Sequence, residues 1–125
     1  MMDMAHPVTI ESLEVAFVSP RRLRMSGALL TSTAQTDIER LLSEVHSHIL
    51  TANLASFTVD VRSLNFVNSS ALRVFINWIS RAARAHYTLV FVTDPKVTWH
   101  RLNFSVLKSL APDSVQIESG RDGLG

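Results

Sequence analysis

The chain has 125 residues, 46% hydrophobic and 18% charged, with a formal net charge of +1, which fits one ordinary globular domain and leaves no global field to draw it to nucleic acid or an anionic membrane. It has no cysteine, which excludes disulfides, thiol catalysis and cysteine-bearing zinc sites and argues against a secreted disulfide scaffold. Met1–Pro7 lacks the basic and apolar regions of a signal peptide, and the longest nearly unbroken apolar run, Tyr87–Val92, is too short to cross a bilayer, so the expectation is a cytoplasmic protein without membrane insertion.

Val8–Val18 and Leu23–Leu29 read as two strands joined by the turn signal Ser19-Pro-Arg-Arg22, an antiparallel hairpin. Thr36-Asp-Ile-Glu39 has the form of a capping box, with Thr36 as N-cap, ahead of Ile38, Leu41, Leu42, Val45 and Ile49 at helical spacing. Phe57–Val61 alternates apolar with polar residues, and Leu64–Val67 continues it as a strand with an irregular exit. A helix starts near Asn68 or Ser69, with Leu72, Phe75, Ile76, Ile79 and Ala83 as its buried stripe. Tyr87–Val92 reads as a strand covered on both faces. Trp99–Leu110 is a third helix by the spacing of Leu102, Val106, Leu107 and Leu110, and Val115–Ile117 is a short last strand. The order β-β-α-β-α-β-α-β predicts an α/β domain with a mixed, mostly parallel sheet, an opening antiparallel hairpin and helices packed against it. Its core covers about residues 8–117, and 118–125 form a flexible tail.

Motifs for metal, nucleophile and nucleotide chemistry are absent. His46 and His48 lie two apart on a helix and point about 200° from one another, and no H-E-x-x-H occurs, so no metal site or cofactor is expected. No G-x-S-x-G elbow or glycine-rich phosphate loop is present, and the basic pairs Arg21-Arg22 and Arg81/Arg84 are not interleaved with aromatics, so neither catalytic residues nor nucleic-acid binding is expected.

The chemistry concentrates where the Phe57–Val67 strand runs into Asn68-Ser-Ser70. Ser69 and Ser70 fall in the first turn of a helix, where backbone N–H groups are unpaired and a phosphate is electrostatically favoured. Further along, Val74 and Trp78 fall about 120–160° from the Leu72 stripe, with Ala71 on the same side. Two readings of that face stand: a partner surface, or a face covered by the chain itself.

Strand order, length and motif placement resemble the STAS domain, the fold of bacterial anti-sigma factor antagonists, from about Val8 to Ile117. Leu23-Arg-Met-Ser-Gly-Ala-Leu29 is similar to the family's second strand, Phe57-Thr-Val-Asp-Val61 to its hydrophobic-Asp-hydrophobic strand, and Phe66-Val-Asn-Ser-Ser-Ala-Leu72 to its D-S-S/T-G-L motif. Asn68 stands where the family usually has Asp, and Ala71 where it usually has Gly. The resemblance implies a non-enzymatic regulatory module in a partner-switching pathway. Its phosphoacceptor would be Ser69, with Ser70 the alternative, and its partner-binding residues Asn68, Ser69, Ser70, Ala71, Arg73, Val74 and Trp78. Its partner would be a serine kinase or anti-sigma-type protein, with a phosphatase as a possible third component. A constitutive scaffold of the same fold is the alternative, and a serine-dependent enzyme, with His86 or His100 beside Ser69, a more distant one. The sequence leaves the oligomeric state open.

Overall fold

The computed structural model describes residues 6–29 and 34–120, and the segment read as one opening strand is two. Glu11-Ser12 breaks it into β1 (Val8–Ile10) and β2 (Leu13–Ser19). Glu11 takes a left-handed φ of 53°, which closes a two-residue turn between the paired Ile10 and Leu13. Left-handed backbone is uncommon for a glutamate, so nothing in the alternation announces this turn. The chain then continues through β3 (Arg22–Leu29), α1 (Gln35–Thr51), β4 (Ser56–Val67), α2 (Ser69–Ala85), β5 (Thr88–Thr93), α3 (Thr98–Leu110) and β6 (Val115–Ser119).

The six strands lie side by side in chain order. β1, β2 and β3 pair antiparallel, and β3 through β6 pair parallel, which is the expected mixed α/β sheet with one additional N-terminal strand. Right-handed crossovers between successive neighbours put α1, α2 and α3 on one face. The aromatic contacts agree: the Phe57 ring lies 6.4 Å from Trp78 of α2, and Phe91 lies 6.4 Å from Phe75 of α2 and 5.1 Å from Phe104 of α3. Alternate strand residues Leu13, Val15, Leu23, Met25, Phe57, Val59, Val61, Leu89 and Phe91 are buried beneath the helices.

Among the described residues no helix covers the opposite face. Asp60 is buried there, clamped by Arg62 (2.7 Å) and Arg22 (3.0 Å). Burial pushes its carboxyl pKa up, but hydrogen bonds from the Arg62 side chain, the Arg62 backbone N–H and Arg22 outweigh this and hold it below the usual carboxylate range. The irregular exit of β4 is a pair of register shifts against β3 around Gly27. Gly27 has a φ of 96°, and a Cβ there would overlap the Ser12 carbonyl oxygen, so only glycine fits.

Three other expectations change at element ends and faces. The α1 stripe is buried as read, but the helix begins at Gln35, with Ala34 in the N-cap position and no side-chain cap. Thr36 is an exposed residue of the first turn and not the N-cap, because Ala34, 3% exposed, packs into the core and starts the helix earlier. On α3, His100, Phe104 and Leu107 are buried, whereas Leu102, Val106 and Leu110 are 63%, 54% and 59% exposed. His100 turns inward because the backbone meets both ring nitrogens: Asp94 N–H donates to Nδ1 (3.2 Å), leaving Nε2–H to donate to the Leu64 carbonyl (2.8 Å). Finally, the strand read as ending at Ile117 continues to Ser119, and Gly120 after it is buried with its N–H on the Thr93 carbonyl, so 118 and 119 belong to the sheet and 120 is held against it. Residues 121–125 lie outside the described residues.

Candidate functional site at the start of the second helix

The β4–α2 junction is built by Asn68. Its backbone is extended (φ −77°, ψ 174°), its Oδ1 accepts the Ala71 N–H at 2.9 Å, and its carbonyl accepts the Leu72 N–H at 3.0 Å. An asparagine therefore supplies the cap that an aspartate would, without the charge. Ser69 and Ser70 are the first two helical residues, and their N–H groups point out of the helix start without intrahelical partners. Ser69 is exposed, Ser70 and Asn68 are half-buried, and Arg73, one turn on, is exposed. Ala71 is 4% exposed, so its methyl sits inside the fold and does not obstruct an approaching molecule.

Val74 and Trp78 are not on this surface. Each is 2% exposed, which removes them, together with Ala71, from the expected partner-binding face. The reason is the second flank of α2. Besides the sheet, the helix packs against α1, so its buried arc widens to include Val74, Trp78 and Ala82. Trp78 Nε1–H donates to the Tyr87 hydroxyl at 3.0 Å, and that hydroxyl meets His46 Nδ1 of α1 at 2.7 Å. With the indole as donor, the phenol proton is free to go to His46, which favours a neutral imidazole. Burial, and secondarily the Arg81 charge, lowers the His46 pKa. Burial raises that of Tyr87 to about 12 against the opposing effects of Trp78 and Arg81. Arg81 closes the seam by donating to Ser43 Oγ at 2.8 Å.

No histidine expected near Ser69 serves it as a base. His86 is the left-handed C-cap (φ 63°) at the other end of a 17-residue helix, about 25 Å away. His100 has both ring nitrogens bonded to the backbone. His48 Nε2 meets the Pro20 carbonyl at 2.7 Å. Among the described residues no three histidines or carboxylates gather as metal ligands. No helix of the described residues is long and apolar enough to cross a membrane.

Beside the junction lies a feature absent from the sequence expectation. Phe66, two residues before Asn68, is 47% exposed, and its ring lies 6.4 Å from Trp99 in the first turn of α3. Trp99 Nε1 is shielded from solvent and has no hydrogen-bond acceptor among the described residues. The available signal was the adjacency of Phe66 and Val67 at a strand end, where only one of two neighbours can face the core; here Val67 does.

The fold is that of the anti-sigma factor antagonists. The anti-sigma factor antagonist SpoIIAA in its unphosphorylated form superposes with a TM-score of 0.56 at 10% identity, over 88% of this chain and 90% of that one. An anti-sigma factor antagonist from Mycobacterium paratuberculosis does so with a TM-score of 0.59 at 14% identity, over 88% and 86%. No family model and no curated protein matches the sequence. At such identities the likeness establishes the STAS-like fold, and chemistry has to be argued from this chain's own residues.

Proposed function

We propose that the chain is a non-enzymatic regulatory module, a single STAS-like domain, that binds a partner protein around Asn68, Ser69, Ser70 and Arg73, and that phosphorylation of Ser69 switches this binding. The observation that carries the reading is the exposure of Ser69 at the start of a helix whose cap is made by its neighbour, Asn68. A change at Ser69 thus alters the surface and leaves the cap intact. Phosphate adds a charge of about −1.5 to −2, and an exposed helix N-terminus stabilises an anion by about 0.3–1 kcal/mol. Arg73, one turn on, adds a cation within reach of the modified side chain. Pressed against a partner, the same charge is desolvated and costly.

The structural neighbours support the class of partner. Both are anti-sigma factor antagonists, and one was solved in a form specified as unphosphorylated. On this reading the chain is cytoplasmic and its partner is a serine kinase or anti-sigma-type protein, with a phosphatase as a third component. Ser70 is the secondary acceptor, being less exposed than Ser69. One observation favours a constitutive scaffold instead: neutral Asn68 removes the carboxylate that the family usually places beside its acceptor serine. Incubation with an anti-sigma-type serine kinase, followed by mass spectrometry, separates the two. Phosphate on Ser69, lost in Ser69→Ala, supports the switch; an unmodified protein that still binds the kinase equally well as Ser69→Ala or Ser69→Asp supports the scaffold.

A further inference from the structure

We propose that the strip of apolar surface between α2 and α3 docks an acidic amphipathic helix of a partner protein. This inference shares only Arg73 with the Ser69 reading and does not depend on it. At 3.6 residues per turn, Trp99, Leu102, Val106 and Leu110 share a sector of about 80° on α3. The opposite flank of that helix is identified by Lys108, whose ammonium donates to the Val115 carbonyl in the edge strand β6 (2.8 Å). The apolar sector therefore looks toward α2. There, Leu72 and Ile76 are half-buried on the flank opposite Val74, and contact between the two helices is slight. Together with Phe66, 47% exposed, Leu102, Val106 and Leu110 account for four of the six large hydrophobic residues that stand out to solvent among the described residues.

Charge selects the occupant. From Ser69 to Pro112 the sequence holds Arg73, Arg81, Arg84, Lys96, Arg101 and Lys108 against a single acid, Asp94. Arg73 and Arg84 are both exposed and lie within about 20° of one another around α2, so one rim of the strip is cationic along its length. A leucine-bearing helix laid along the strip satisfies its apolar floor, and glutamates on that helix's flanks meet the arginines. A second copy of this face would set the same arginines against themselves. A helix laid along the strip covers the half-buried Leu72 and Ile76 as well as the α3 residues, which a flat bilayer does not, and Lys108 is already engaged by the Val115 and Pro112 carbonyls.

The test is fluorescence anisotropy of the unmodified full chain with a labelled helical peptide that carries leucines on one face and glutamates on the other. The native chain is expected to bind it with a micromolar Kd. Leu102→Ser/Val106→Ser and, separately, Arg84→Gln are expected to weaken binding at least about tenfold while the denaturation midpoint stays unchanged, since these side chains are exposed. A peptide with lysine in place of glutamate is expected not to bind. Absence of binding, or equal binding by the variants, overturns the proposal. So does strip-dependent binding to phosphatidylserine vesicles without peptide binding, which assigns the strip to lipid, and so does a strip-dependent dimer in sedimentation, which assigns it to a second copy.

Discussion

On its α1 side, α2 is closed by Val74, by Trp78 and by the Trp78–Tyr87–His46 chain of hydrogen bonds; on its α3 side, Leu72 and Ile76 stay half-covered and look across at Leu102, Val106 and Leu110 on a helix that barely touches it. One helix thus has a flank that holds the fold together and a flank left for something else. The large aromatic, the residue type that most often anchors interfaces, is on the closed flank, so residue identity alone misassigns the two.

The largest test of this contrast is Trp78→Ala. It should cost about 3–5 kcal/mol in chemical denaturation, because it removes a fully buried ring and leaves the Tyr87 hydroxyl without its donor. A loss below about 1 kcal/mol would mean that the α1 seam is not closed.

How the two flanks could be read from sequence differs for a physical reason. The α1 stripe, Ile38, Leu41, Leu42, Val45 and Ile49, was legible in full because that helix buries a single face. For α2, periodicity gives the direction of the sheet, but a neighbouring helix adds a second buried flank that no single stripe encodes, and Val74 and Trp78 fell there. For α3, two apolar stripes compete, and the one with three aliphatics lost to His100, Phe104 and Leu107, since a buried histidine is invisible to hydropathy until its backbone acceptor and donor are known. The Asn68 cap and the exposed Ser69 were legible because capping is local. The start of α1 was not, because the packing of Ala34 decided it against a plausible box at Thr36.

The caps offer the next contrast. Asn68→Ala should destabilise by about 1 kcal/mol through loss of the bond to the Ala71 N–H, whereas Thr36→Ala should stay within about 0.5 kcal/mol, both by denaturation midpoint. The reverse order would restore Thr36 as the cap.

A smaller effect lies in pH. Burial, then the Arg81 charge, lowers the pKa of folded His46, so the unfolded chain takes up this proton first. Stability is complete above the ordinary histidine range, near pH 6.5, and is lost as pH falls through it toward the folded value. Between about pH 7.5 and about pH 5.5 the native protein should lose more thermal midpoint than His46→Gln, and equal losses would remove His46 from the seam. The smallest effect belongs to the open flank: Leu102→Ala should change stability by no more than about 0.5 kcal/mol, and a larger loss would show that the strip is covered in the folded chain.

Ser69 is the place where the surface changes and the fold does not. The most direct measurement is calorimetric affinity for an anti-sigma-type partner, using protein phosphorylated stoichiometrically at Ser69 and protein left unmodified, with thermal midpoints recorded on both. The midpoints should agree, and the phosphorylated form should bind at least about tenfold more weakly, or by about 1.4 kcal/mol. Ser69→Asp should reproduce only part of that loss, because one carboxylate carries less charge than phosphate. Equal affinities, or a phosphorylated protein that has lost its fold, would contradict that role for Ser69.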